Sequence, residues 1–260
     1  MIDARLWNEL AKASCVVSQW VLLSDWNQFG AVCDTWAGTP VGDQARYSQL
    51  IWELAGGNRW MPTENMRSDP VLFEYIRGVL YFQNNLGGVL SSHKTQELVA
   101  AARAQFPLRP GPCRYSLSMS HSLRIRVNRE TNERARLEHP EAVRYQVQPT
   151  RGDNAPQSMW VWPGQELIGA GGRTKKGLFY RVAAAGETHL TVTTGDQSLT
   201  LTAEAAAKSL RLSHCITYAS CQGLSLDGVR LLETSSPHFT WKHLYVGCSR
   251  CTSSETLQVM

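Results

Sequence analysis

No apolar run in this sequence approaches the ~20 residues that a membrane-spanning helix needs, and its opening residues do not resemble a secretory signal. An intracellular, soluble protein is therefore the expectation. Seven cysteines, an odd number at irregular spacing, do not make a disulfide framework. No internal repeat is visible, so nothing indicates a stacked-repeat architecture. Lysine is scarce, with 6 against 20 arginines among 260 residues. The guanidinium is the better group for bidentate phosphate contacts, so within a mild net charge of +4 this bias weakly favours a nucleotide or nucleic-acid partner. A composition of 43% hydrophobic and 18% charged residues excludes a disordered or fibrous chain. The length suits one large domain or two of ordinary size.

Four of the thiols form a possible zinc set, Cys215 and Cys221 followed by Cys248 and Cys251. The first pair is too widely spaced and neither pair has Gly/Pro knuckle chemistry, so buried free cysteines are the better reading and no metal is assigned.

Hydrophobic periodicity gives an alternation of helix and strand. Residues 3–14 carry Leu6, Trp7, Leu10 and Ala11 at helical spacing. Residues 19–23, "QWVLL", read as a buried strand that presents Asp25 and Gln28 at its C-terminal end. Helices are expected at 48–55, closed by Gly56-Gly57, at 68–78 with Ser68 as N-cap and Gly78 as stop, and at 95–105. Residues 59–61 read as a short strand, and strand 115–119 leads into a helix over 122–138. From about 156 to 204 short alternating segments punctuated by glycine indicate a small antiparallel β unit. The alternation then resumes with strand 211–216, helix 217–222 stopped by Gly223, strand 228–232, helix 239–249 and a strand near 256–259. The fold class is α/β with a mainly parallel sheet and an inserted β module.

Polar residues gather at the ends of these elements: Gln28, Arg67, Ser120-His121, Thr217, Gln222-Gly223 and Arg250. Cations and neutral donors at such ends could converge on a polyphosphate. Each alone has a plain alternative as a surface arginine or a turn residue. Arg124, Arg126 and Arg129 fit a solvated charged face as well as a DNA-facing one.

Taken in order, the segments resemble the C-terminal portion of superfamily 1 DNA helicases, on the branch with RecD and the Pif-type enzymes. "WVLLSDWNQFGAV" resembles motif III, and "MPTENMRSDPVLFEYIR" is similar to motif IV through Asn65, Arg67 and Ser68. "ITYASCQGLSLDGVRL" resembles motif V through Thr217, Gln222, Gly223, Ser225, Leu226 and Asp227. "HLYVGCSRCTS" resembles motif VI, Leu-Tyr-Val-Ala-x-Ser-Arg, through Leu244, Tyr245, Val246, Ser249 and Arg250. Four motifs in order span residues 21 to 251.

The resemblance implies ATP lying between two RecA-like domains. Gln28, with Asp25 beside it, would come from the first domain, here residues 1–62. Arg67, Gly223 and Arg250 would come from the second, residues 63–155 and 205–260. Gln28, Arg67 and Arg250 would act on the γ-phosphate, neutralising charge on the transferred phosphoryl group. Ser120, His121, Thr217 and Gln222 match positions on the path of single-stranded DNA, held largely without regard to sequence. Residues 156–204 would be an SH3-like β-barrel subdomain. The implied activity is ATP-driven 5′-to-3′ translocation on single-stranded DNA and unwinding at duplex junctions, with ATP and Mg2+ as cofactors.

The family's phosphate loop and magnesium-binding Asp-Glu precede motif III, and residues 1–6 resemble the tail of the latter. No G-x-x-x-x-G-K-[ST] occurs; "GAGGRTKKG" at 169–177 is glycine-rich and basic but lacks that spacing. A fragment is therefore expected, inactive alone, with the magnesium ligands in a missing N-terminal half. A non-catalytic nucleic-acid-binding module and a degenerate mobile-element or viral remnant are the alternatives. Ser24 stands for the usual Gly of motif III, Gly30-Ala31 for Pro-Pro, Tyr218-Ala219-Ser220 for Val-His-Lys in motif V, and Cys248 for an apolar residue in motif VI.

Overall fold

The first helix, α1 (Ala4–Ala13), and a short second one, α2 (Gln49–Leu54), flank a two-residue antiparallel pair, β1 (Thr35–Trp36) with β2 (Thr39–Pro40). The Ser48 hydroxyl caps α2 by accepting from the Ile51 amide, and Ile51 and Leu54 turn inward. The computed structural model describes residues 4–13, 15–17, 19–23, 25–30, 35–36, 39–41, 48–58, 60, 65–85, 91–111, 113–147 and 156–260. It divides into two units, Met1–Arg67 and Ser68–Met260.

The strand expected at 19–23 does not form. Those residues have no regular structure, and Val21 and Leu23 are 85% and 92% exposed. An apolar run becomes a strand only when a neighbour takes up its backbone hydrogen bonds, and the described residues of this unit contain only the β1–β2 pair. The expected strand at 59–61 lies largely outside the described residues.

In the second unit, α3 (Pro70–Asn85) and α4 (Ser92–Gln105) precede the sheet. Asp69 rather than Ser68 caps α3, its Oδ1 accepting from the Leu72 amide at 2.9 Å, with Pro70 at the first helical position. Gly78 does not stop α3. A glycine inside a helix costs only about 1 kcal/mol, and Leu72, Ile76 and Val79 keep one buried face across it. Helix α4 starts earlier than expected because Ser91 caps it.

Strands β3 (Tyr115–Ser118), β11 (Cys215–Thr217), β12 (Val229–Leu231) and β13 (Leu257–Val259) form a parallel sheet in the order β11-β3-β12-β13. Their residues are almost all buried, as in a sheet covered on both faces. Helix α5 (His121–Ala135) follows β3 and packs on β3 and β11; a 3-10 turn at Arg136–Glu138 ends it. Helix α7 (Trp241–Arg250) links β12 to β13 and packs on β12 and α3. The β3–β11 and β12–β13 connections run in opposite directions along the sheet. Right-handed crossovers then put α5 and α7 on opposite faces, and the chain switches direction between β3 and β12.

Between α5 and β11 lies an antiparallel module. Strands β6 (Glu166–Gly169), β7 (Phe179–Ala185), β8 (His189–Thr194) and β9 (Gln197–Thr202) pair in sequence. Helix α6 (Ala203–Ser209) then returns the chain so that β10 (Leu210–Leu212) lies beside β6. A separate pair, β4 (Val143–Tyr145) with β5 (Met159–Val161), shares its core: Tyr145, Met159, Leu167, Val192, Leu201 and Leu210 pack together. The module's strands therefore reach beyond residues 156–204. The strand expected at 211–216 is two strands. Ser213 and His214 separate β10, in the antiparallel sheet, from β11, in the parallel one.

Candidate functional site

In open α/β sheets ligands bind beyond the carboxyl ends of the strands, at the switch in strand order. Here that position lies after β3 and β12. Ser120 caps α5, its hydroxyl accepting from the Leu123 amide at 3.3 Å, and His121 is the first residue of the helix. Glu233, two residues beyond β12, closes over this end. Its carboxylate accepts from the amides of Met119 and Ser120, the latter at 3.2 Å, and from the Ser120 hydroxyl at 3.1 Å. Glu233 holds a left-handed backbone, φ 59°. Two amides just ahead of α5, and the hydroxyl that caps it, are thus held by an acid of the same chain. Nothing in the local sequence singled out Glu233; an acid just after the apolar run "VRLL" is its only signal.

The motif V segment after β11 is a turn, not the expected helix. The Ser220 and Cys221 amides both donate to the Thr217 carbonyl, and the geometry is not continued. Gly223 ends it at φ 84°, a left-handed position that favours glycine. The Thr217 hydroxyl is buried and donates to Ser220 Oγ at 2.8 Å, while Gln222 Nε2 donates to the Ala219 carbonyl at 3.2 Å. Tyr218 points inward, its hydroxyl donating to the Leu232 carbonyl at 3.0 Å.

The end of α7 meets two distant segments. Arg250 is 3% exposed, and its guanidinium donates to the Leu224 carbonyl at 3.4 Å and to Ser249 Oγ at 2.9 Å. Its backbone carbonyl accepts from the Leu226 amide at 2.8 Å. Burial pushes the neighbouring Cys221 thiol up to about 12, against the pull of Arg250. From the other side, the Asp69 amide donates to the Thr252 carbonyl at 3.1 Å, and its carboxylate accepts from the Ser254 amide. Desolvation would raise the Asp69 pKa, but hydrogen bonds from Leu72 and Ser254 hold it below the usual carboxylate range. The segments read as motifs IV, V and VI therefore meet at residues 249–254. Asp69 was visible only as part of a helix start; its tie to Ser254 spans 185 residues.

In the first unit, Asp25 organises a turn: its carboxylate accepts from the Asn27 amide at 3.0 Å and from Gln28 Nε2 at 2.8 Å. Asp25 and Gln28 are thereby brought together. Arg67 is exposed, its amide donating to Asn65 Oδ1 at 3.1 Å. On α5, Arg126 and Arg129 are exposed, whereas Arg124 is buried. Among the described residues no group of three or more His, Cys, Asp or Glu side chains is placed to hold a metal ion, and no helix is long and apolar enough to cross a membrane.

No protein-family model matches the chain, and no curated protein matches it. Solved structures do. The crystal structure of Pif1 helicase from Candida albicans aligns with 100% of this chain and 70% of its own, at a TM-score of 0.58 and 16% identity. A structure on DNA unwinding at forked double-stranded DNA by two coordinating Pif1 helicases aligns with 74% of this chain and 47% of its own, at a TM-score of 0.50 and 15% identity. The chain thus spans about half the length of that second relative. At these identities the likeness is one of architecture: the chain has the RecA-like α/β fold of the Pif1 helicases.

Proposed function

We propose that this chain is the motif III to motif VI portion of an ATP-dependent DNA helicase, which couples ATP hydrolysis to 5′-to-3′ movement along single-stranded DNA and to unwinding at duplex junctions. The observation that carries the reading is the meeting at the end of α7. Asp69 of motif IV is hydrogen-bonded to Thr252 and Ser254, and Leu224 and Leu226 of motif V are hydrogen-bonded to Arg250 of motif VI, so three segments far apart in sequence reach the same short stretch. Segments assigned to one nucleotide site should converge in this way. The Pif1 fold supports the same reading.

Gln28, Arg67 and Arg250 would contact the γ-phosphate, with Asp25 orienting the Gln28 amide and Gly223 leaving room at the motif V turn. Arginine suits that role because its planar fork matches phosphate oxygens. ATP would supply the phosphoryl group whose transfer drives the cycle, and Mg2+ would neutralise charge on its oxygens. Ser120, His121, Thr217 and Gln222 would line the strand's path, and Ser120 would meet a phosphate through donors that Glu233 now holds.

The test is binding of an oligo-dT strand by the 260-residue chain over a range of salt. Phosphate contacts release counterions, so affinity should fall linearly on a log–log scale as salt rises. Thr217→Ala should weaken binding equally for every sequence, because a phosphate contact carries no base information. Absence of binding, or binding indifferent to salt, would contradict the proposal.

A further inference from the structure

Arg124 and Arg211 are 7% and 8% exposed, and neither forms an ion pair with a carboxylate among the described residues. Arg124 lies on α5, one turn after Ser120, and its Nε and Nη2 are buried without a partner. Arg211 lies on β10. Its Nη1 donates to the carbonyls of Ala207, Lys208 and Leu210 at 3.3, 2.8 and 2.8 Å, while its Nε is buried without a partner.

The two come near one another for a local reason. Asn128 donates to the Cys215 carbonyl at 2.9 Å and accepts from the Cys215 amide at 2.8 Å, which fixes α5 to the start of β11. Arg124 stands one turn before Asn128 on the same face, and Arg211 stands four residues before Cys215. Burial favours the neutral form of both guanidiniums, and the charge of Arg124 further disfavours that of Arg211. The carbonyls at the end of α6 partly offset the Arg211 charge. Among the described residues no carboxylate pairs with Arg124; only the Cys215 thiol acts in favour of its charge. Two buried like charges with open donors are costly unless a counter-charge completes them.

We propose that Arg124 and Arg211 form a binding site for a phosphate-class oxyanion, between α5 and the α6–β10 corner. The open Nε and Nη2 of Arg124 form one edge of its fork, suited to two oxygens of one anion, and Arg211 Nε supplies a further donor. The site does not depend on the helicase reading, since free inorganic phosphate and a backbone phosphodiester present the same oxygens.

The experiment is thermal unfolding of the full chain in inorganic phosphate against chloride at constant ionic strength, with phosphate binding measured by calorimetry. The unfolding midpoint should rise with phosphate. Arg124→Met should weaken phosphate binding by about tenfold or more, the loss expected for a charge-assisted hydrogen bond, and should abolish the rise. That variant should fold at least as well in chloride, because it removes an uncompensated buried cation. Arg126→Met, an exposed neighbour on α5, should keep the rise. An oligo-dT titration separates the sources: weaker binding by Arg124→Met assigns the site to a backbone phosphate, and unchanged binding to a free anion. A phosphate effect that is absent, equal in Arg124→Met, or lost equally in Arg126→Met overturns the proposal.

Discussion

Gly247, in the middle of α7, shows how the two motif segments nearest Arg250 constrain each other. A methyl group built there would lie 2.6 Å from Leu231 Cδ2, and 3.1 Å from both Leu231 Cδ1 and Tyr218 Cε1. Leu231 and Tyr218 are fully buried and so have little room to yield. Gly247→Ala should therefore carry an overpacking cost of about 1–3 kcal/mol. Alanine's better helix propensity returns about 1 kcal/mol, so the net effect is a loss of about 0–2 kcal/mol.

The background should change that sign. Tyr218→Val removes the ring that crowds the same point as Leu231, along with a hydrogen bond to the Leu232 carbonyl, and by itself should cost about 2–4 kcal/mol. In that background Leu231 can move into the vacated space, so Gly247→Ala should be neutral or should stabilise by up to about 1 kcal/mol. Urea unfolding of the four proteins, compared at constant m, reads the coupling directly. It should be about 1–2 kcal/mol or more. If Gly247→Ala costs the same in both backgrounds to within about 0.5 kcal/mol, the sites are independent and the packing argument fails.

Further outcomes are expected. The chain alone should not hydrolyse ATP; joined to a phosphate-loop half of a Pif1-type helicase it should, and Arg250→Lys should then lower turnover by about 10³-fold. Near-normal turnover by that variant, or loss through unfolding alone, would make the contacts of Arg250 with Leu224 and Ser249 its whole role. Glu233→Ala should lower stability by about 1–3 kcal/mol by orphaning the Met119 and Ser120 amides, and should strengthen oligo-dT binding; no change in either urea midpoint or affinity would refute this. His243 Nδ1 accepts from the Thr240 amide, and burial lowers its pKa from 6.5 to about 4 despite Glu233. The unfolded chain then takes up this proton first, so the contribution is complete above pH 6.5 and is lost as pH falls toward 4. His243→Gln, which keeps an acceptor for the cap, should flatten that part of the stability profile relative to the parent.

Strands β3, β12 and β13 were legible because Tyr115–Ser118, Val229–Leu231 and Leu257–Val259 alternate apolar and polar residues in short stretches between turn residues. Helices α2, α4 and α5 carry their caps in the sequence, at Ser48, Ser91 and Ser120. The errors share a cause, which is that local pattern does not name the partner. "QWVLL" has strand composition but no neighbour among the described residues. The run 210–217 is apolar enough for one strand, yet its halves pair with β6 and β3 in different sheets. Gly78 has the look of a stop but lies on a helix whose buried face continues past it. At the site, residue types and their order were readable. The contacts of Glu233 with Met119 and of Asp69 with Ser254 were not, since 114 and 185 residues separate the partners.

Those contacts bear on how the proposed site would operate. Polar groups at the ends of buried strands must be hydrogen-bonded whether or not a ligand is present. In this state the chain satisfies many of them itself: Glu233 accepts from the Ser120 amide and hydroxyl, and the Leu224 carbonyl and Ser249 hydroxyl accept from Arg250. A phosphate at Ser120 would have to displace a carboxylate of the same sign, and a γ-phosphate would meet an Arg250 guanidinium that already donates to Leu224 and Ser249. Binding then measures the difference between two satisfied states, so apparent affinity falls by the fraction of chains already rearranged. The same competition supplies a means of release, because the internal partner is always at hand when the ligand's charge diminishes. A translocating enzyme needs contacts that it can surrender once per cycle, and on the proposed reading Glu233 would meet that need at Ser120 without a further component.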